Sequence, residues 1–264
     1  HAYGRTLLTN TGSLSYAMQH KGHEGDELDN RMGFYGKSTR SKSTCTLNDW
    51  NQAPTNPDVL VSHNAPECHA VLSRYSGGYW PGPYGWYWPE GFGAGLHAFH
   101  ERLLIWLTGG VALVIDTVNR WPEERFGCEA QQSPSLQMHW QLTPGPVELD
   151  ADRGRVVTRH DDANVLMLFP KLSEGMELTL HQGELDPIRG WVSTGGAGRR
   201  FLEEAGAFDE APVSEWRERT YAPAPLLRAC ADPMREHIAE MVTVILPFRG
   251  QEEPPLRARF GGAL

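Results

Sequence analysis

Residues 102–107, RLLIWL, and 111–118, VALVIDTV, flank the tripeptide Thr108-Gly109-Gly110, and the reading of this stretch decides the fold. Both flanks are rich in β-branched and large apolar side chains, which suit a pleated backbone, and the paired glycines supply turn conformations that other residues avoid. The pattern predicts an antiparallel hairpin. It is apolar at nearly every position, so it is expected to be covered on both faces. Further along, residues 136–142 read LQMHWQL. Leu136, Met138, Trp140 and Leu142 alternate there with Gln137, His139 and Gln141, the period of two that a strand requires.

More short strands are predicted outward from this centre, at residues 5–10 (RTLLTN), 155–159, 165–169, 176–181 and 242–247. Turn clusters separate them: Thr143-Pro144-Gly145, Ser173-Glu174-Gly175 and Asp186-Pro187. Only residues 202–207 and 233–241 read as helical turns. Closely spaced strands with almost no helical periodicity predict an all-β fold, an antiparallel β-sandwich formed by residues 1–264 as a single domain. No internal repeat or low-complexity tract interrupts it.

The 264 residues are 40% hydrophobic and 22% charged, an ordinary globular balance, and 28 Gly with 19 Pro suit many turns. A net charge of −9 argues against nucleic acid as a partner, which calls for a basic face. No apolar run reaches the roughly 18 residues of a membrane span. Four cysteines, at 45, 68, 128 and 230, lack zinc-ribbon spacing, and their pairing stays open. Phosphate loops, the Gly-x-Ser-x-Gly elbow and His-Glu-x-x-His are not found, which leaves nucleotide enzymes, serine hydrolases and zinc peptidases unsupported. The chain opens on His1 with no signal segment, and reads as a processed product or a piece of a longer protein.

Several phrases, taken in order, resemble one family. GRTLLTNTGSLSY resembles a strand ending in Asp-x-Gly with a Tyr soon after, and RMGFYGKSTRSKSTCTLNDWNQ resembles a segment with Ser-Thr-x-x-His-Asn-Thr and a turn ending in Gln. FHERLLIWLTGGVALVIDTV resembles a hairpin opening on His-x-Arg, while MHWQLTPG, DPIRGWVS and VTVILPF resemble later phrases. Together they span residues 4 to 248 and are similar to the C-terminal β-sandwich region of the heparinase II/III-like polysaccharide lyases, which include alginate and oligoalginate lyases. The resemblance implies β-elimination on uronic-acid polysaccharides: a base removes the proton α to the carboxylate, an acid protonates the leaving oxygen, and the developing charge is neutralised. It also implies an upstream helical toroid as partner, carrying the catalytic Tyr. A zinc organises the cleft floor in the family, and the periplasm or the cell exterior is the expected compartment.

Two departures bear on that zinc. Asn10 and Lys42 stand where the resemblance places an Asp and a His ligand. A neutral amide is a poor zinc ligand and an ammonium repels the ion, so neither a metal nor any other cofactor is expected. Lys42 reads either as a solvated side chain or as an ammonium standing where the cation stood, pairing with a carboxylate or holding its loop.

The substrate class singles out further residues. Arg31, Arg40 and Lys42, with Lys37, form a basic patch suited to uronate carboxylates, the alternative being solvated charges on a strand edge. The loop YWPGPYGWYW at 79–88 offers flat rings to sugar faces, with Trp86 and Trp88 as the candidates; the alternative is a small core beneath a loop. Tyr35 is the catalytic candidate within this chain, although a core Tyr is the commoner outcome. His139, His97 and His100 read as structural. His20 and His23, with Glu24 and Asp26, suit a surface metal site or, more simply, a mobile acidic loop.

The expected function is the sandwich part of such a lyase, giving cleft wall and contacts to an acidic polysaccharide. A non-catalytic carbohydrate-binding or structural protein that kept the fold and lost the metal is the alternative. A complete metal-free lyase using Tyr35 is a third.

Overall fold

The computed structural model describes residues 2–9, 33–53, 55–80, 96–120, 134–172, 175–193, 221–231 and 238–256. Asn10, the His20–His23 loop, Arg31, Trp86, Trp88, Cys128 and the helical turn expected at 202–207 lie outside them.

Strands are numbered in chain order. The larger sheet runs β3 (Asp58–Asn64), β4 (Cys68–Tyr75), β6 (Ala98–Leu107), β7 (Ala112–Arg120), β18 (Ile238–Arg249), β11 (Ala163–Leu172), β10 (Arg155–Thr158) and β9 (Val147–Asp150). The smaller runs β1 (Cys45–Leu47), β8 (Leu136–Gln141), β17 (Leu226–Ala231) and β12 (Met176–His181). Three short ladders complete it: β2 (Asn51–Gln52) with β5 (Tyr79–Trp80), β13 (Glu184–Leu185) with β14 (Ile188–Arg189), and β15 (Trp191–Ser193) with β16 (Tyr221–Pro223). Every strand pairing among the described residues is antiparallel. The predicted all-β fold is the observed one.

One apolar core lies between the two large sheets. Val114, Val118, Val165, Met167 and Met241 of the larger meet Leu136, Met138, Trp140, Leu178 and Leu227 of the smaller. The decisive hairpin is β6–β7, turned at Gly109 and Gly110, both with positive φ. Strand β7 alternates, sending Ala112, Val114, Asp116 and Val118 inward. The expectation that both strands are covered on both faces is corrected at the turn end, where Leu104, Trp106 and Leu107 are exposed. The larger sheet extends past the smaller one there, through β4 to a wholly exposed β3.

Other readings also change. Residues 5–9 form no strand, only isolated bridges at Arg5 and Leu8. Ile238–Met241 are extended at the start of β18, because their register against β7 outweighs local helix preference. Strand β8 does alternate, but its polar face is buried too: Gln137, His139 and Gln141 are all inaccessible. Thr46 Oγ donates to Gln137 Oε1 at 2.8 Å, and Gln141 Nε2 donates to the Pro225 carbonyl at 2.9 Å. Cys45 and Cys68 form no disulfide among the described residues.

Candidate functional site

The basic patch rides on residues 33–44, a helical turn over 33–37 followed by a 3-10 turn, Thr39–Ser41, and extended chain into β1. Small hydroxylated residues make so tight a path possible. Ser38 Oγ donates to the Tyr35 carbonyl at 2.7 Å and Ser41 Oγ to the Ser38 carbonyl at 2.8 Å. The segment is pinned to β2, where Thr39 N–H donates to Asn51 Oδ1 at 2.7 Å and Gln52 N–H to Thr39 Oγ at 2.8 Å.

This path separates the predicted residues. Lys37 is exposed and Arg40 is half-buried. Lys42 is not the solvated side chain that one reading gave: it is half-buried, and its ammonium donates to the Gly36 carbonyl at 2.8 Å. It therefore holds its loop, as the other reading had it. Burial lowers its pKa. Tyr35 has no exposed surface, and its hydroxyl accepts the Gly190 N–H at 3.1 Å. A hydroxyl so enclosed does not meet a polymer, so this geometry gives Tyr35 a structural place rather than a catalytic one.

Two hollows flank the end of the segment. One, of about 390 Å³, is lined by Thr39, Thr44, Gln52, Tyr75, His100 and Arg102 among others. The second, of about 520 Å³, is lined by Leu8, Thr9, Lys42, Ser43 and Trp140. Arg102 stands between them. Its Nη1 donates to the Ser43 carbonyl at 2.7 Å, and its guanidinium carbon lies 5.1 Å from the centre of the Trp140 ring.

Asp116 holds Arg102 in place. Arg102 Nε and Nη2 donate to Asp116 Oδ1 and Oδ2 at 2.6 and 3.2 Å, while His100 Nε2 lies 2.7 Å from Oδ1. Burial disfavours charge on Asp116, yet Arg102 and His100 hold its pKa below the usual range. Burial opposes charge on His100 as well, but Cys45 and Asp116 outweigh it and raise the pKa to about 10. One buried carboxylate thus lies between the guanidinium of Arg102 and the imidazole of His100, beside the first hollow. Deeper in, Cys45 Sγ lies 2.8 Å from the Tyr79 hydroxyl, whose pKa burial pushes far up.

Sequence reading placed His100 in a structural role and overlooked Arg102 and Asp116. A signal was present: counting outward from Gly109 sets Arg102 opposite Asp116 across the hairpin, as observed.

The zinc that the resemblance implies does not fit. At Lys42 the chain presents an ammonium already spent on a carbonyl, with no lone pair for a metal.

No protein-family model and no curated protein matches the chain. Solved structures do. The heparan sulfate lyase HepC from Pedobacter heparinus superposes with a TM-score of 0.63 at 17% identity, over 95% of this chain and 30% of that one. A structure titled heparinase III, BT4657 gene product, gives 0.61 at 15% identity, over 93% and 28%. Another heparinase III gives 0.61 at 14% identity, over 94% and 28%. The chain spans about 30% of the length of these proteins. The alginate and oligoalginate side of the resemblance finds no support among them, and what the likeness establishes is that this chain has the fold of one part of the heparinase III-type lyases.

Proposed function

We propose that the chain is the β-sandwich part of a heparinase II/III-like lyase acting on uronic-acid polysaccharides by β-elimination, forming a wall of the substrate cleft. The observation that carries this reading is two cations held in fixed places, Arg102 lining one hollow and Lys42 the other, within a fold shared with a heparan sulfate lyase. Lys42 supplies a point charge and Arg102, its Nε and Nη2 engaged by Asp116, supplies a positioned field, both suited to a uronate carboxylate. Trp86, Trp88 and Arg31 add stacking and charge on this reading, and Arg40 a further contact.

The acid and base come from a partnering helical toroid, and the polymer is met in the periplasm or outside the cell. A second reading, a carbohydrate-binding protein without catalysis, is favoured by Lys42 at the ligand position and by the enclosure of Tyr35. The test is ultraviolet absorbance of unsaturated uronate with this chain alone on heparan sulfate, alginate and hyaluronan, paired with binding to the same polymers. Binding with a flat trace is expected. Rising absorbance would contradict the assignment of acid and base to another domain, and absence of binding would contradict the cleft wall.

A further inference from the structure

Arg40, Arg189 and Arg228 reach one place from separate parts of the chain: the 3-10 turn, β14 and β17. Arg189 and Arg228 both approach Asp49 Oδ2, and Arg228 lies opposite His139 in the β17–β8 register. The 3-10 turn bearing Arg40 packs against β8, where His139 alternates with the core-facing Met138 and Trp140. Burial first, and then Arg228, Arg189 and Arg40, hold the pKa of His139 down at about 3. The Arg189 and Arg228 side chains are only 17% and 14% exposed. Even so, none of the three guanidinium groups makes a hydrogen bond among the described residues. The nearest carboxylate contacts are Arg189 to Asp49 at 3.7 Å, Arg228 to Asp49 at 3.8 Å and Arg189 to Glu184 at 3.9 Å, all beyond hydrogen-bond length. Glu184 is already engaged by His181 at 2.7 Å.

The unmet groups are of both kinds. Nε of Arg40 and Nε of Arg228 are buried without acceptors. Asp49 Oδ1 and His139 Nδ1 are buried without donors. The tautomer follows from Thr46: its one hydroxyl proton goes to Gln137, so at 3.0 Å it accepts from His139 Nε2–H, which leaves Nδ1 with a lone pair. Buried polar groups are nearly always paired, and a guanidinium brings five donors to satisfy. What complements this cluster is an oxyanion among the three cations with hydroxyl donors beside it for Asp49 and His139.

We propose that Arg40, Arg189 and Arg228 form a binding site for a compact oxyanion, a sulfate or carboxylate group, borne by a polyhydroxylated molecule such as an acidic sugar. The saccharide source rests on the reading given under Proposed function; the oxyanion site does not. None of the three arginines lines the hollows that Lys42 and Arg102 border.

The test follows the arginine Nε–Hε signals in ¹H–¹⁵N spectra during titration with sodium sulfate, against sodium chloride at equal ionic strength. Sulfate is expected to move them saturably and chloride not. Arg189→Gln is expected to weaken the response at least tenfold. Arg40→Gln, on the half-buried 3-10 turn, gives a second reading should the first variant fold poorly, and Arg153→Gln, an exposed side chain on the turn between β9 and β10, is expected to leave the response unchanged. A sulfated uronate disaccharide is then expected to displace sulfate. Sulfate acting like chloride, or a response that survives both Arg189→Gln and Arg40→Gln, would overturn the site. A disaccharide that leaves the sulfate signals in place would overturn the sugar as its source. Undiminished polymer binding in Lys42→Gln with these signals intact would count against the cleft-wall reading alone.

Discussion

Asp116 stands where the alternation of β7 calls for an apolar side chain, enclosed between His100 and Arg102. Removing its charge leaves two cations facing each other in a buried site. Asp116→Asn is therefore expected to cost roughly 3–5 kcal/mol, read as a fall in the denaturation midpoint. The histidines set the pH response in opposite directions. His100 has its pKa raised to about 10, so its contribution is complete below the unfolded value near 6.5 and fades as pH rises toward 10. His139 and His160 are lowered to about 3 and about 4, so they cost stability as pH falls below about 6.5, where the unfolded chain takes up protons first. Denaturation midpoints are expected to be highest near neutral pH and to fall on both sides. A curve that rises steadily into the alkaline range would contradict the charged His100. Of these residues the sequence showed the identities but not the enclosure. His100 lies in a recognisable phrase, whereas the burial of His139 depends on Thr46 and the segment above it, both distant along the chain.

At the scale of elements, the 33–44 segment and the β14–β15 corner lock together through Tyr35 and Gly190. Gly190 has φ near +69°, and a Cβ there would meet Gln182 Cα and the His181 carbonyl oxygen at 2.7 Å. Gly190→Ala is expected to destabilise by about 2 kcal/mol or more, and Tyr35→Phe by about 1 kcal/mol through the lost bond to the Gly190 N–H. Polymer binding is expected to survive Tyr35→Phe, which a Tyr whose hydroxyl contacts the polymer would not predict. The larger sheet gives a contrast along its length. Val114→Ala, in the core, is expected to cost about 2 kcal/mol, whereas Val59→Lys on exposed β3 should change stability by less than about 0.5 kcal/mol. Elements with strict alternation or a glycine turn, β6, β7, β8 and β12, were legible in the sequence. β3 and β4 were not, since an exposed edge carries little pattern. The helical reading of 238–241 failed because partner strands, not local propensity, decide an extended backbone there.

For the whole molecule, the two sheets enclose one core that draws on nearly every large strand, so the sandwich is expected to unfold as a single cooperative unit. Its fold is that of one part of heparinase III-type lyases about three times its length. The acidic total charge, −9, argues against a general attraction to polyanions, so binding has to come from local cations held in fixed places. That contrast makes the proposed role testable. The deciding measurement is a calorimetric titration with a heparan-derived acidic oligosaccharide and a neutral oligosaccharide of equal length, on the wild-type chain and on Lys42→Gln. The account predicts that only the acidic ligand binds, that binding weakens with salt, and that Lys42→Gln lowers affinity about tenfold. Equal binding of the two ligands, or an unchanged affinity in Lys42→Gln, would contradict it.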